Sequence, residues 1–163
     1  MIKAPIPKNE KDRLCAVNVL GLLDTEHEER FDLLTKEVKE RFQVPMSTLT
    51  IVDKDREWFK SSQGVKVTES PRDISFCGHA LLQKNLFVVE DTLENEIFKD
   101  NPMVLGPPFV RFYAGKSLFE VESGLPVGVF CIKDVKPRKM SISDISDFLD
   151  LASRAEKEIN KKL

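Results

Sequence analysis

The stretch Met46-Ser47-Thr48-Leu49-Thr50-Ile51-Val52-Asp53-Lys54-Asp55-Arg56-Glu57-Trp58-Phe59-Lys60-Ser61-Ser62 is where the chain changes its hydrophobic period. Residues 46–52 are rich in β-branched side chains, 53–55 are turn-formers, and 57–62 return as a second arm. This predicts a β-hairpin, ended by Gly64. Trp58 and Phe59 fall on opposite faces of the second arm, so one of them packs in a core. Upstream of the hairpin the period is helical. Residues 8–22 carry Leu14, Val17 and Leu20 on one face, with Gly21 as the stop. Thr25-Glu26-His27-Glu28 has the form of a capping box, and Phe31, Leu34, Val38 and Phe42 follow as an amphipathic stripe before Pro45.

Downstream, a short helix is expected over 75–83 and a strand over 86–90. Residues 91–110 hold Pro102, Gly106, Pro107 and Pro108, and cannot form one long element. Two further strands, 111–121 and 127–132, are joined by Glu122-Ser123-Gly124-Leu125-Pro126. Ser141 with Asp144 three residues on signals the start of a closing helix, 141–163. Its Ile145, Phe148, Ala152, Ala155 and Ile159 alternate steps of three and four, the seam of a short coiled coil. Helices, five strands and a closing helix make an α+β domain around one antiparallel sheet.

The bulk numbers narrow the function classes. A chain of 163 residues has the size of one domain, read here as a single unit over 1–163 with N-terminal helices over 8–42, sheet and loops over 46–134, and the helix 141–163. With 25 basic and 27 acidic side chains the net charge is -2, so no long-range field draws it to nucleic acid or an anionic membrane. No apolar run approaches the roughly 20 residues that cross a bilayer, and no signal segment is expected from residues 1–5. Cys15, Cys77 and Cys131 are an odd number without a Cys-x-x-Cys pair, which speaks against a disulfide framework and a zinc site. The expected location is cytoplasmic, with reduced thiols.

Specific blocks sharpen the fold. Ser75-Phe76-Cys77-Gly78-His79-Ala80, Asn101-Pro102-x-Val104, Arg111-Phe112-Tyr113-Ala114-Gly115, Gly128-x-x-Cys131-x-x-Asp134 and Pro137-Arg138 stand in this order. Leu22-Leu23-Asp24-Thr25, Phe31-Asp32 and Trp58-Phe59-Lys60-Ser61 precede them. Together they resemble a bacterial sensory subfamily of GAF domains, over about residues 13–155. The departures are Asn95-Glu96-Ile97-Phe98, which lacks an arginine usual there, Lys116-Ser117 in place of a small residue and proline, and Lys133 where an apolar residue is common. The resemblance implies a GAF-like (PAS-related) antiparallel sheet of about six strands, terminal helices on one face, and a loop-roofed pocket on the other. It also implies a sensory input that acts through a signalling enzyme. No output domain follows within the chain, so the expected form is a stand-alone module signalling in trans.

The pocket is expected between the sheet and segment 75–112, with Cys77, His79, Asp91, Asn101, Arg111 and Tyr113 as its polar candidates. Cys77 and His79 lie two apart on one short helix, about 200° around it, so they need not meet. Cys77 reads as a reactive thiolate or a buried apolar group, and His79 as a ligand contact or a satisfied core imidazole. Arg111 grips an anion through its planar fork, or pairs with Asp91 or Asp134 to pin the loop. Tyr113 lines the pocket or the core, while Asp91 and Asn101 suit either a pocket wall or a turn. His27 is the only other histidine, too few for a metal site. No cofactor is assigned.

Three readings follow: a binding module for a small molecule or partner; an enzyme like the free methionine-(R)-sulfoxide reductases of the same fold; and an adaptor with a filled pocket. The enzyme is not expected, because Cys15 and Cys131 lie on elements not expected to converge on Cys77, and the chemistry needs two thiols in contact. A homodimer is expected through the N-terminal helix and the 141–163 seam.

Overall fold

The hairpin is the centre of the fold. In the computed structural model, which describes residues 1–162, β1 (Met46–Val52) pairs antiparallel with β2 (Arg56–Gln63), with one irregularity between Leu49 and Thr50. Four further strands complete the sheet: β3 (Glu69–Pro71), β4 (Phe87–Val89), β5 (Phe112–Phe119) and β6 (Pro126–Asp134). Their order is β3-β2-β1-β6-β5-β4, and every pairing is antiparallel. The six-stranded sheet is thus as expected. The strand absent from the sequence reading is β3, a three-residue edge segment too short to show a period. All seven residues of β1 are buried, because it is central and covered on both faces.

Three helices cover one face: α1 (Glu10–Leu20), α2 (Glu29–Phe42) and α5 (Ile142–Ile159). The stripe Phe31, Leu34, Val38 and Phe42 packs there as expected, and Trp58 is the member of its pair that joins this core. Gly21 ends α1 in the left-handed conformation, φ 65°, its N–H donating to the Asn18 carbonyl. Ser141 and Asp144 form the expected capping box of α5. Leu163, the last residue of the expected helix 141–163, lies outside the described residues, and α5 ends at Ile159.

Three local expectations are corrected. Thr25 and Glu28 do not cap α2, whose N-terminus lacks a side-chain cap. Both are drawn instead to the buried ammonium of Lys60, which donates to the Thr25 hydroxyl at 2.7 Å and pairs with Glu28 at 2.9 Å. A charge without solvent outweighs one cap bond. In α1 the inward face carries Arg13, Ala16 and Val17, with Leu14 only half-buried. Arg13 lies inside because Glu10 clasps its guanidinium at 2.8 and 2.9 Å. The third correction concerns the seam of α5. Phe148, Ala152, Ala155 and Ile159 face the domain's own sheet, so they form core and not an interhelical zipper.

On the other face lie α3 (Phe76–Ala80), α4 (Pro102–Leu105) and two short 3-10 turns, Arg72–Ile74 and Thr92–Glu94. The N-terminal segment lies over α3: the Ala4 N–H donates to the Asp73 carbonyl, and a side chain on Gly78 would collide with Ala4 and Ser75.

Candidate functional site

Ser75 starts α3 by accepting the Gly78 N–H with its hydroxyl at 2.9 Å, and this sets which way each α3 side chain turns. Phe76 and Cys77 turn to the sheet. Phe76 stacks between Phe98, 4.2 Å between centroids, and Tyr113, at 5.2 Å. Tyr113 lies along β5 over Gly115, where any Cβ would overlap its phenol, and its hydroxyl donates to Cys77 Sγ at 3.3 Å. That close approach accounts for the glycine in Tyr113-Ala114-Gly115.

Cys77 Sγ lies 3.8 Å from Cys131 Sγ. The expectation that these cysteines are on elements that do not converge is therefore wrong. Antiparallel pairing places β6 in the middle of the sheet, and α3 crosses it there, so a separation of 54 positions in the chain spans almost no distance. Cys15 stays apart, exposed on α1. From β1, Thr48 and Thr50 project onto the same spot: Thr48 Oγ1 is 3.0 Å from Cys131 Sγ and 2.7 Å from Thr50 Oγ1, which lies 3.6 Å from Cys77 Sγ.

Two buried charges adjoin this polar core. Glu57, on β2, is fully buried; one carboxylate oxygen accepts the Ser70 hydroxyl at 2.5 Å and the other, Oε2, has no partner. Lys133, on β6, is 4% exposed, with its ammonium 5.9 Å from the centroid of Phe76. Among the described residues neither Glu57 nor Lys133 makes an ion pair. Burial works to lower the Lys133 ammonium's pKa, but Glu57 and the two thiols hold it above the ordinary value. Burial likewise pushes against ionisation of Cys131. The hydrogen bond from Cys77, the Lys133 charge and the Thr48 hydroxyl outweigh it and bring Cys131 down to about 7, while Cys77 is driven up. One proton shared between two touching thiols explains the opposite directions. Sequence reasoning named Cys77 and Tyr113 but missed Glu57, Thr48, Thr50 and Cys131 as their neighbours. The signals were a carboxylate beside Trp58 in a strand, threonines two apart in β1, and Lys133 at an apolar position.

The other candidates do different work. His79 turns away from Cys77: its Nε2 donates to the Ile2 carbonyl at 3.1 Å and its ring meets the edge of Phe98, and burial lowers its pKa. Asp91 accepts the Leu93 N–H at the start of the Thr92–Glu94 turn. Asn101 caps α4 through Met103 N and donates to the Ile74 carbonyl at 3.0 Å, tying the loop to α3's approach. Arg111 pairs with neither Asp91 nor Asp134. Its Nη1 donates to the carbonyls of Val104, at 2.8 Å, and Val110, closing the exposed C-terminal end of α4. The helix end supplies acceptors nearer than any carboxylate, and Asp134 is occupied by Arg138 at 3.1 Å. Cys77 and Tyr113 thus face the interior together, while Asp91, Asn101 and Arg111 brace the segment above them. Surface recesses of about 380 and 670 Å³ open elsewhere, at the ends of α1 and α5 and beside Gln43 and Lys136.

Known proteins share this architecture. The chain is 39% identical over 138 residues to a cyclic di-GMP phosphodiesterase of Pseudomonas aeruginosa, a match covering 85% of the chain but 23% of that protein. The chain therefore spans about a quarter of its relative. Among solved structures, the GAF domain of an Acinetobacter phosphoenolpyruvate-protein phosphotransferase superposes with a TM-score of 0.63 at 14% identity, covering 91% of this chain and 92% of that one. The free methionine-R-sulfoxide reductase of Neisseria meningitidis, with its substrate bound, gives 0.63 at 20% identity, covering 89% and 85%. These likenesses establish the fold. The GAF domain family model matches residues 26–159, from just before α2 to the last residue of α5, and the chain belongs to that family.

Proposed function

We propose that this chain is a regulatory GAF module whose sensing region is the sheet face roofed by residues 75–112, and that it governs a signalling enzyme. The observation that carries this is the unpaired oxygen of Glu57 facing the same interior as Lys133, Cys77, Cys131 and Tyr113. A fold built only for stability does not keep such charges buried, because apolar residues of similar volume are as stable or more so. A polar ligand reaching this face would satisfy them. Cys77 and Tyr113 would touch it, and His79, Asp91, Asn101 and Arg111 would set the order of the roof above it. The relative in Pseudomonas aeruginosa supports a place in second-messenger control, with this domain as the input to a catalytic unit.

Hydrogen exchange across 91–112, measured with and without a metabolite library, tests this. Protection of that segment by a compound is the expected result. Protection equal to the core strands, unchanged by any compound, favours the adaptor reading. The module is further proposed to act as a homodimer. Since the α5 seam is core, the contact must use outward residues such as Val19, Ile142 and Leu149. Ile142→Glu should then weaken self-association in sedimentation without unfolding the domain; a wild type that stays monomeric at tens of micromolar, roughly the range of weak dimers, excludes it.

An enzymatic reading has one observation in its favour, the 3.8 Å between Cys77 and Cys131. Attack on a sulfoxide and resolution of the sulfenic acid need such a pair. Both sulfurs are fully buried, so a sulfoxide amino acid would have to open the roof at every turnover and not once per signal. Assay with free methionine-(R)-sulfoxide and a thiol reductant should give no turnover; turnover that is lost in Cys77→Ser would establish the reductase.

A further inference from the structure

The two buried cysteines lie in contact, one on a helix and one on the central sheet, in a setting that prepares one of them for oxidation. We propose that Cys77 and Cys131 are a peroxide-responsive dithiol, oxidised to an internal disulfide that ties α3 to β6. The sulfurs must close by roughly 2 Å to reach bonding distance, a movement within the reach of side-chain rotation and a small shift of the five-residue helix. The polarity of the pair is set by its surroundings. Cys131 receives the Lys133 charge from its own strand and a hydrogen bond from Thr48 on β1, whereas Cys77 receives the Tyr113 hydroxyl from β5. Glu57 on β2 is the remaining charged group facing the pair, and it opposes ionisation of both. With the Lys133 ammonium two residues along the same face of β6 and the Thr48 hydroxyl 3.0 Å from its sulfur, Cys131 is the attacking thiolate and Cys77 the resolving thiol.

The chemistry balances with hydrogen peroxide as the oxidant. The Cys131 thiolate attacks one peroxide oxygen; an S–O bond forms, the O–O bond breaks, and hydroxide leaves and takes up a proton as water. Cys77 then attacks the sulfenic sulfur; an S–S bond forms, the S–O bond breaks, and the Cys77 proton leaves with the hydroxide as a second water. A small dithiol returns both cysteines to thiols by exchange. Peroxide is close to water in size, so it needs far less opening than an amino-acid sulfoxide. The consequence for the domain is electrostatic as well as covalent. Lys133 loses the thiolate it faces, and the interior beneath segment 75–112 gains one positive charge. This inference does not depend on the pocket holding a ligand, since it concerns the protein alone.

The test uses the full chain carrying Cys15→Ser, which removes the exposed thiol. After brief peroxide treatment at pH 7, denaturation and alkylation, both remaining thiols should be lost. Intact mass should fall by two hydrogens, and a dithiothreitol-sensitive peptide should link Cys77 to Cys131. The initial rate should rise about tenfold between pH 6 and pH 8, the change in thiolate fraction for an ionisation centred near 7. With Cys77→Ala added, which keeps a small apolar group in the helix, dimedone should label Cys131. Two thiols still alkylatable after the exposed Cys15 of the wild type has been oxidised would overturn the proposal. Dimedone labelling of Cys77 ahead of Cys131 in the Cys15→Ser protein would overturn it too. Ligand-induced protection of 91–112 is measured on reduced protein, so its failure is separate from either result.

Discussion

The two faces of the one sheet are built from different materials. Beneath α1, α2 and α5 lies an almost unbroken apolar cluster, from Phe31 and Leu34 through Leu49, Ile51 and Phe130 to Phe148 and Ile159. Beneath α3 and the 91–112 segment the apolar residues are interrupted by two threonines, two thiols, a tyrosine hydroxyl, a carboxylate and an ammonium, all buried. Both faces are equally inaccessible. What separates them is whether burial alone explains the residues. On the helical face it does for the apolar majority, at about 25 cal/mol for each Å² of apolar surface removed from water, and the buried charges there, Arg13 and Lys60, are paired with Glu10 and Glu28. On the other face it does not, and a charge such as Glu57 with an unpaired oxygen is a cost the fold carries for another purpose.

The largest way to test that contrast is within the helical face. Phe148 is fully buried and meets both Phe42 and Phe130 at ring-centroid distances of 5.9 and 5.8 Å. Phe148→Ala should cost about 3–5 kcal/mol in chemical denaturation, and Ile159→Glu should unfold the chain rather than merely weaken a dimer. A loss under about 1 kcal/mol for Phe148→Ala would mean that this face is not the stabilising core.

A charge cluster that is paired sharpens the contrast with one that is not. Glu10 holds both Arg13 and Arg72, two buried guanidiniums, at 2.8 and 2.5 Å. Burial alone would raise its pKa, but the hydrogen bonds and charges of the two arginines lower it to about 2 from an ordinary 4.5. The folded value lies below the unfolded one, so this contribution is complete above pH 4.5 and disappears as pH falls through 2. It amounts to at most about 3 kcal/mol, less whatever solvent screening removes at its open side. Glu10→Gln should lower stability at pH 7 by a similar amount and flatten the acid limb of the stability curve between those values. An unchanged acid limb would show the cluster to be ornamental.

On the polar face the sign should reverse. Replacing Glu57 and Lys133 together by Gln and Met removes both unpaired charges and should leave stability equal or higher, by about 1–2 kcal/mol. The same double variant should lose any ligand-dependent protection of 91–112. Marked destabilisation would mean that the two charges hold the fold, and the contrast between the faces would fail. The smallest effect is expected at the roof. Asn101→Ala removes the α4 cap and the bond to Ile74, and should cost about 1 kcal/mol. Its exchange protection should fall locally in 91–112, not in β1 or β6.

How far each element was legible in the sequence follows from the range of the interaction that makes it. The hairpin, the α2 stripe, the Gly21 stop and the Ser141 cap depend on residues a few positions apart, and the amino-acid order alone determined them. The motif blocks carried the six-stranded sheet and the placing of the terminal helices on one face. Tertiary structure decided the rest, because the deciding partners are distant in the chain. Thr25 and Glu28 had the pattern of a cap until Lys60, more than 30 residues on, offered a buried charge to satisfy. Arg111 chose the Val104 carbonyl at the end of α4 once the loop had folded back on it. The α5 seam has the spacing of a coiled coil, but the same spacing serves a helix lying on its own sheet, and only the sheet's position distinguishes them. Cys77 and Cys131 meet because β6 pairs at the centre of the sheet and α3 crosses above it, a consequence of strand order that no local pattern encodes.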